Sequence, residues 1–124
     1  MYQIDSLSRV PVYEQIIRQT KRFVLTGAIK PGDKMESVRS IAFEHSINPR
    51  TILKAYGELD SEGIIKSVPG KGYYVCDKAF DILYGETQNK LTETTKLFEQ
   101  MKLAGIKESE IIECVKKVFS DSTK

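Results

Sequence analysis

The sequence is poor in the residues that metal sites and acid–base chemistry need. It has one histidine, His45, and two cysteines, Cys76 and Cys114, which form no CxxC motif. Because transition-metal sites use clustered His and Cys ligands, we expect no metal and no cofactor. The sequence also has no nucleophile motif and no acid–base cluster, so we expect no enzymatic activity. Two lone thiols are typical of a reduced, cytoplasmic protein.

Long apolar runs and a strong net charge are missing as well. No run approaches the roughly 20 residues of a membrane span, and the first residues lack the basic and apolar regions of a signal peptide, so we expect no membrane partner. The net charge of +2 is too small to indicate a nucleic-acid partner by itself. A length of 124 residues fits one modest domain with a short appendage.

Residues 47–59 carry the clearest functional signal. Asn48 is a favourable N-cap, and Pro49 suits the first position of a helix. The following apolar residues have the spacing of a buried helical face: Ile52, Ala55, Tyr56 and Leu59. Arg50, Thr51 and Lys54 lie on the opposite face, beside the free N–H groups and positive dipole of the helix start. This pattern predicts a helix that meets an anion, and our first hypothesis is a DNA recognition helix.

The segments before this helix predict a helix-turn-helix arrangement. Helical spacing indicates a first helix from Pro11 to about Gly27, where glycine ends it. Ser37 is placed to cap a second helix that closes at His45, and a tight connection leads into the third. Residues 1–10 are expected to form an arm on the domain surface.

Residues 64–75 predict a β-hairpin. Two runs rich in β-branched and aromatic residues, 64–68 and 73–75, flank the turn 69–72. Beside a helix-turn-helix, we interpret this hairpin as a wing in which Gly70 lets the backbone approach DNA and Lys71 reaches phosphate or the minor groove. An ordinary hairpin with a solvated lysine is the alternative.

The character of the sequence changes after Lys78. A heptad seam predicts a helix over residues 79–104, and a second apolar stripe predicts another over 108–119. Because two helices cannot bury both stripes alone, we expect a symmetric homodimer through this tail. The contact residues would be Tyr84, Leu91, Phe98, Met101, Ile112, Val115 and Phe119.

Two other arrangements of the tail stay open. Its helices could fold back over the preceding domain instead of pairing with a second chain. A small-molecule effector, if one exists, would need a pocket at the dimer interface or between tail and domain, where Tyr84, Phe98 and Met101 could line it. The expected fold is therefore mainly α with a small β-hairpin: a winged helix-turn-helix domain at residues 1–78 and a two-helix dimerisation tail at residues 79–124.

Several motifs stand in one order along the chain, among them Pro11-Val12-Tyr13-Glu14-Gln15-Ile16, Ser37-Val38-Arg39, Asn48-Pro49-Arg50-Thr51 and Gly70-Lys71-Gly72-Tyr73. Over about residues 9–76 the sequence resembles the winged-helix domain of the GntR family of bacterial transcriptional regulators. The short tail is similar to that of the YtrA-type branch. This resemblance implies a dimeric repressor of an inverted-repeat operator, often in an operon that encodes an ABC transporter.

The resemblance also implies which residues bind DNA: Ser37, Arg39, Pro49, Arg50, Thr51, Lys54, Gly70 and Lys71. Glu36 departs from the pattern, since the family usually has proline there. DNA phosphates would repel this carboxylate unless Arg39 or Lys34 pairs with it. A winged helix can also serve as a protein-interaction module, and steeply salt-sensitive binding to duplex DNA would separate the two functions.

Overall fold

The computed structural model describes residues 1–120, so the last four residues of the predicted tail lie outside the described range. The chain divides into two compact units, Met1–Glu86 and a second that begins at Thr87. The elements in chain order are α1 (Val12–Thr26), α2 (Val38–His45), α3 (Pro49–Ser61), β1 (Ile65–Val68), β2 (Gly72–Val75), α4 (Ala79–Leu103) and α5 (Glu108–Ser120). The prediction of a mainly α chain with a small hairpin is confirmed.

The helix boundaries follow from local capping. Gly27 ends α1 with φ at 80°, and its N–H donates to the Val24 carbonyl. The Ser37 hydroxyl accepts a hydrogen bond from the Ser40 N–H at 3.0 Å and so starts α2. Gly63, at φ 81°, follows the last residues of α3. Gly27 and Ser37 match their predicted roles because caps depend on short-range chemistry.

The core of the first unit lies between α1, α2, α3 and the hairpin. The buried face of α3 is the predicted one, formed by Ile52, Ala55, Tyr56 and Leu59. Facing side chains from the other elements include Ile16, Val24, Met35, Ile41, Ile64, Ile65 and Val75. Burial of each large apolar side chain stabilises the fold by about 1.5–3 kcal/mol. This packing fixes which face of α3 points outward.

The expectation that residues 1–10 lie on the surface is wrong for Tyr2. Its side chain is 4% exposed, and its hydroxyl lies 2.7 Å from the Thr20 hydroxyl. The Thr20 hydroxyl donates to the Ile16 carbonyl, so Tyr2 donates to Thr20. Burial of an aromatic ring with its hydroxyl satisfied outweighs the cost of ordering this short arm.

The residues before α2 add a further strand-like pairing to the hairpin. β1 pairs antiparallel with β2, with Ile65 opposite Val75. On the other side of β2, Lys34 bridges Tyr74, and the Met35 N–H donates to the Tyr73 carbonyl at 2.8 Å. The sequence-based predictions did not include this pairing. β2 therefore has backbone partners on both sides.

The second unit contains the larger part of α4, from Thr87 on, and all of α5. Gly105, at φ 89°, allows the chain to reverse, and the Ile106 N–H donates to the Met101 carbonyl. No residue of α5 is buried, and several large apolar side chains along the unit are exposed: Leu91, Leu97, Leu103, Ile112, Val115, Val118 and Phe119. Within residues 1–120, no helix is long and apolar enough to cross a membrane.

Candidate nucleic-acid interface

The first turn and a half of α3 presents three polar side chains away from the core. Arg50 and Lys54 are exposed and Thr51 is half-buried. Asn48 Oδ1 accepts the Arg50 N–H, and the Asn48 carbonyl accepts the Thr51 N–H, both at 2.9 Å. Since Pro49 has no N–H, the expectation of free N–H groups is wrong for these first positions. The positive end of the helix dipole and the side chains of these residues are still available to bind an anion.

A concavity between α2 and α3 contains two of the predicted contact residues. Its lining includes Arg39 from α2, Pro49 from α3 and the side chain of Phe43, which is 89% exposed. Ser37, the N-cap of α2, is also exposed, and its hydroxyl hydrogen stays available because its oxygen is the acceptor for Ser40. The structure therefore brings Arg39 and Pro49 to one surface.

The wing tip is a tight turn with open space around it. The Lys71 N–H donates to the Val68 carbonyl at 2.9 Å, and Gly70 between them has φ at 75°. Proline followed by a glycine with positive φ is typical of a type II turn. A Cβ added to Gly70 would meet nothing within 4 Å, and the Lys71 side chain is exposed. The tip can therefore approach another molecule closely.

The Glu36 carboxylate pairs with neither of its predicted partners. It accepts a hydrogen bond from the Ser40 hydroxyl at 3.2 Å and lies 3.9 Å from the Met1 amino group. In the described part of the chain, its ion pairs include neither Arg39 nor Lys34. The negative charge is thus held at the start of α2, where a helix dipole favours it.

The backbone of Glu36 joins α3 to the start of α2. Its carbonyl accepts a hydrogen bond of 2.7 Å from the Tyr56 hydroxyl, which comes from the buried face of α3. Burial raises the pKa of the Tyr56 hydroxyl well above its ordinary value, so this group is protonated at neutral pH. The link fixes the segment that leads to Ser37 and Arg39.

Lys54 has a partner that the sequence did not indicate. Its ammonium nitrogen lies 3.8 Å from the centroid of the Tyr13 ring, a cation–π contact between α3 and α1. Tyr13 precedes Ile16 and Ile17 of the buried face of α1 by three and four residues, so its spacing indicated a core position and gave no signal of this contact.

The predicted DNA-binding cations are not neutralised by carboxylates. Across residues 1–120, none of the ion pairs within 4.0 Å involves Arg39, Arg50, Lys54 or Lys71. By contrast, Lys21 of α1 pairs with Glu62 at 2.8 Å. Exposed cations without carboxylate partners, beside an outward-facing helix and a narrow hairpin tip, form a surface that can bind a polyanion.

Comparison with known proteins identifies the family. The model of the family described as "Bacterial regulatory proteins, gntR family" matches residues 12–75, which include α1 to β2. The chain belongs to the GntR family. This GntR-family chain is 40% identical over 122 residues to the HTH-type transcriptional repressor YtrA of Bacillus subtilis (strain 168), an alignment that covers 98% of the chain and 94% of the relative.

Solved structures agree with this assignment. A GntR family transcriptional regulator from Listeria monocytogenes has a TM-score of 0.69 and 35% identity, covering 89% of this chain and 96% of its own. The structure of AraR(DBD) in complex with operator ORR3 has a TM-score of 0.52 and 28% identity, covering 61% of this chain and 92% of its own. The GntR-family chain is a DNA-binding transcriptional regulator and not an enzyme.

Proposed function

We propose that this GntR-family chain is a homodimeric repressor that binds an inverted-repeat operator in the cytoplasm. The observation that carries the proposal is a set of exposed cations on α2, α3 and the wing tip that have no carboxylate partner among residues 1–120: Arg39, Arg50, Lys54 and Lys71. Its similarity to the repressor YtrA supports repression. The YtrA-type resemblance also supports control of an operon that encodes an ABC transporter.

Each predicted side chain has a distinct task in this proposal. Arg50 offers a planar pair of donors that suits O6 and N7 of guanine in the major groove. Four side chains bind phosphates and fix the register of the protein on the duplex: Ser37, Arg39, Thr51 and Lys54. Pro49, at the start of α3, lies against the DNA backbone. Gly70 and Lys71 enter the minor groove, where width and potential guide the cation.

The exposed apolar surface of the second unit supports the predicted dimerisation tail at residues 79–124. Leu91 is 62% exposed and Phe119 is 84% exposed, and α5 buries no residue within the single chain. Exposed apolar side chains of this extent are typical of an interface. Tyr84, Phe98, Met101, Ile112 and Val115 would join Leu91 and Phe119 in a symmetric contact.

Selection of duplexes from a random-sequence library by the full chain tests the proposal. We expect an enriched inverted repeat with half-sites about one helical turn, roughly 10 base pairs, apart. Binding to the selected duplex should weaken steeply with salt, and a scrambled duplex of the same length is the control. Absence of any enriched repeat, with binding insensitive to salt, would favour a protein-interaction module instead.

A further inference from the structure

The contact between Tyr13 and Lys54 joins two helices at the edge of the proposed DNA-binding surface. Tyr13 is the second residue of α1, is half-buried, and packs against the core of the first unit. Lys54 is exposed on α3, with its ammonium over the ring face at 3.8 Å. The ring is held by packing, while the lysine would otherwise be a flexible side chain.

The neighbours of Lys54 on α3 offer it no comparable partner. Arg50, four residues before, carries the same charge and repels it. Glu58, four residues after, has the opposite charge, but this order of the two charges is the weaker one on a helix. In the part of the chain that the structure describes, Glu58 forms no ion pair with Lys54. The ring therefore decides where the ammonium lies.

An ammonium held on a ring face keeps its outward N–H donors available. A free lysine side chain loses much rotamer freedom when it binds a phosphate. A lysine already restricted by a ring loses less, so the same phosphate contact contributes more to affinity. An aromatic ring also adds no negative charge beside the ammonium, whereas a carboxylate partner would offset its positive charge and repel phosphate.

We propose that Tyr13 is a positioning residue for DNA binding, whose ring holds the Lys54 ammonium ready for a phosphate of the operator backbone. The proposal rests on the proposed function, because Lys54 must meet DNA for its position to matter. It assigns a role in DNA binding to the start of α1, outside the helix-turn-helix and the wing.

Binding of the full chain to the library-selected duplex, measured by fluorescence anisotropy over a salt series, tests this role. Tyr13→Leu removes the ring, and we expect affinity to fall about two- to fivefold for each half-site that the dimer contacts. Tyr13→Phe keeps the ring face, so its affinity should stay within twofold of the wild type. Lys54→Ala should lower the slope of log K against log salt by about 1.8, because the proposed dimer loses two phosphate contacts, one from each protomer.

A double-mutant cycle separates positioning from a general structural effect. In the Lys54→Ala background, Tyr13→Leu should cause no further loss of affinity, because the ring then has no ammonium to hold. NMR supplies a second readout: ring current should shift the Lys54 side-chain protons in the wild type and in Tyr13→Phe, but not in Tyr13→Leu. Thermal unfolding of each variant measures any loss of fold separately.

Several outcomes would overturn the role of Tyr13. These are unchanged or tighter binding by Tyr13→Leu, an equal loss in Tyr13→Phe, or a loss that persists without Lys54. In each of these cases the wild type still binds DNA, and the proposed function stands. A wild type that shows no salt-dependent binding to the selected duplex would remove both proposals together.

Discussion

Arg50 and Lys54 stand one helical turn apart on α3 and carry the same charge, but their surroundings differ. The Arg50 N–H is bound by Asn48, while its guanidinium has no carboxylate partner among residues 1–120. Lys54 is instead held on the Tyr13 ring. We infer that Arg50 can adjust to a base edge, whereas Lys54 suits a phosphate at a fixed place.

The proposed roles of Arg50 and Lys71 lead to a prediction about sequence specificity. Arg50→Ala should cost about 1–3 kcal/mol of binding free energy and relax the preference at one base pair of each half-site. Lys71→Ala should weaken all sequences alike, because a wing-tip cation responds to charge and groove width. Gel shifts on a panel of single-base operator variants measure both effects.

Lys96→Ala, a charge-matched substitution in the second unit, serves as the control for this panel and should leave the base preference unchanged. If Arg50→Ala lowered affinity equally for every operator variant, Arg50 would be a phosphate contact and not a base reader. A sequence-dependent loss in Lys71→Ala would assign base reading to the wing.

The sequence predicted residue roles well where they depend on near neighbours. Asn48, Ser37 and Gly27 have their predicted capping positions because a cap involves only the next few residues. The Tyr13 contact and the burial of Tyr2 were not predicted, because each depends on how separate segments pack. Long-range contacts of this kind leave no periodic pattern in one sequence.

At the scale of elements, the start of α2 depends on the hairpin and on α3. Met35 is bound to β2 through its N–H, and the next carbonyl, that of Glu36, accepts the Tyr56 hydroxyl. The sequence predicted α2, α3 and the hairpin as separate elements. It could not predict the pairing at residues 33–35, since backbone hydrogen bonds make little demand on side-chain identity.

Tyr56→Phe tests how much the Glu36 carbonyl link stabilises the fold. Loss of the 2.7 Å bond should lower the free energy of unfolding by about 0.5–1.5 kcal/mol, measured by urea denaturation near pH 7. Tyr73→Phe is the matched control: Tyr73 packs edge-on against the Tyr56 ring, and its hydroxyl makes no hydrogen bond to a protein group within residues 1–120. An equal loss in both variants would contradict the link.

The stability that the Tyr56 hydroxyl contributes should decrease at alkaline pH. Because burial raises the pKa of the Tyr56 hydroxyl in the folded state, the protonated form favours folding. The contribution is fully present below about pH 10, the ordinary pKa of tyrosine, and is lost as pH rises above it. Tyr56→Phe should therefore lose less stability than the wild type between neutral and strongly alkaline pH.

At the scale of the whole molecule, the boundary of the first unit bears on any test of the dimer. Ala79 and Leu83 of α4 are 0% and 3% exposed and belong to the core of this unit. The compact unit thus extends to Glu86, beyond the predicted domain end at Lys78. A cut at Lys78 would remove buried side chains as well as the proposed interface.

We predict that a chain ending at Glu86 folds as a monomer, whereas the full chain is a dimer, as measured by analytical ultracentrifugation. For the chain ending at Glu86, the slope of log K against log salt for DNA binding should be about half that of the full chain, because half of the phosphate contacts remain. A chain ending at Lys78 should be less stable by about 1.5–3 kcal/mol through loss of Leu83 burial. A dimeric chain ending at Glu86 would contradict the proposed tail interface.

The backbone pairing at residues 33–35 has a consequence for the DNA itself. It joins the strand behind the wing tip to the start of α2, and Tyr56 joins that start to α3. The distance between the parts proposed to enter the two grooves is thereby fixed by the protein. If this distance differs from the spacing of the two grooves in straight DNA, the duplex must bend or twist to fit it. Such deformation is easiest at pyrimidine–purine steps. The selected operators should favour such steps between the two contacts, at base pairs that no side chain touches.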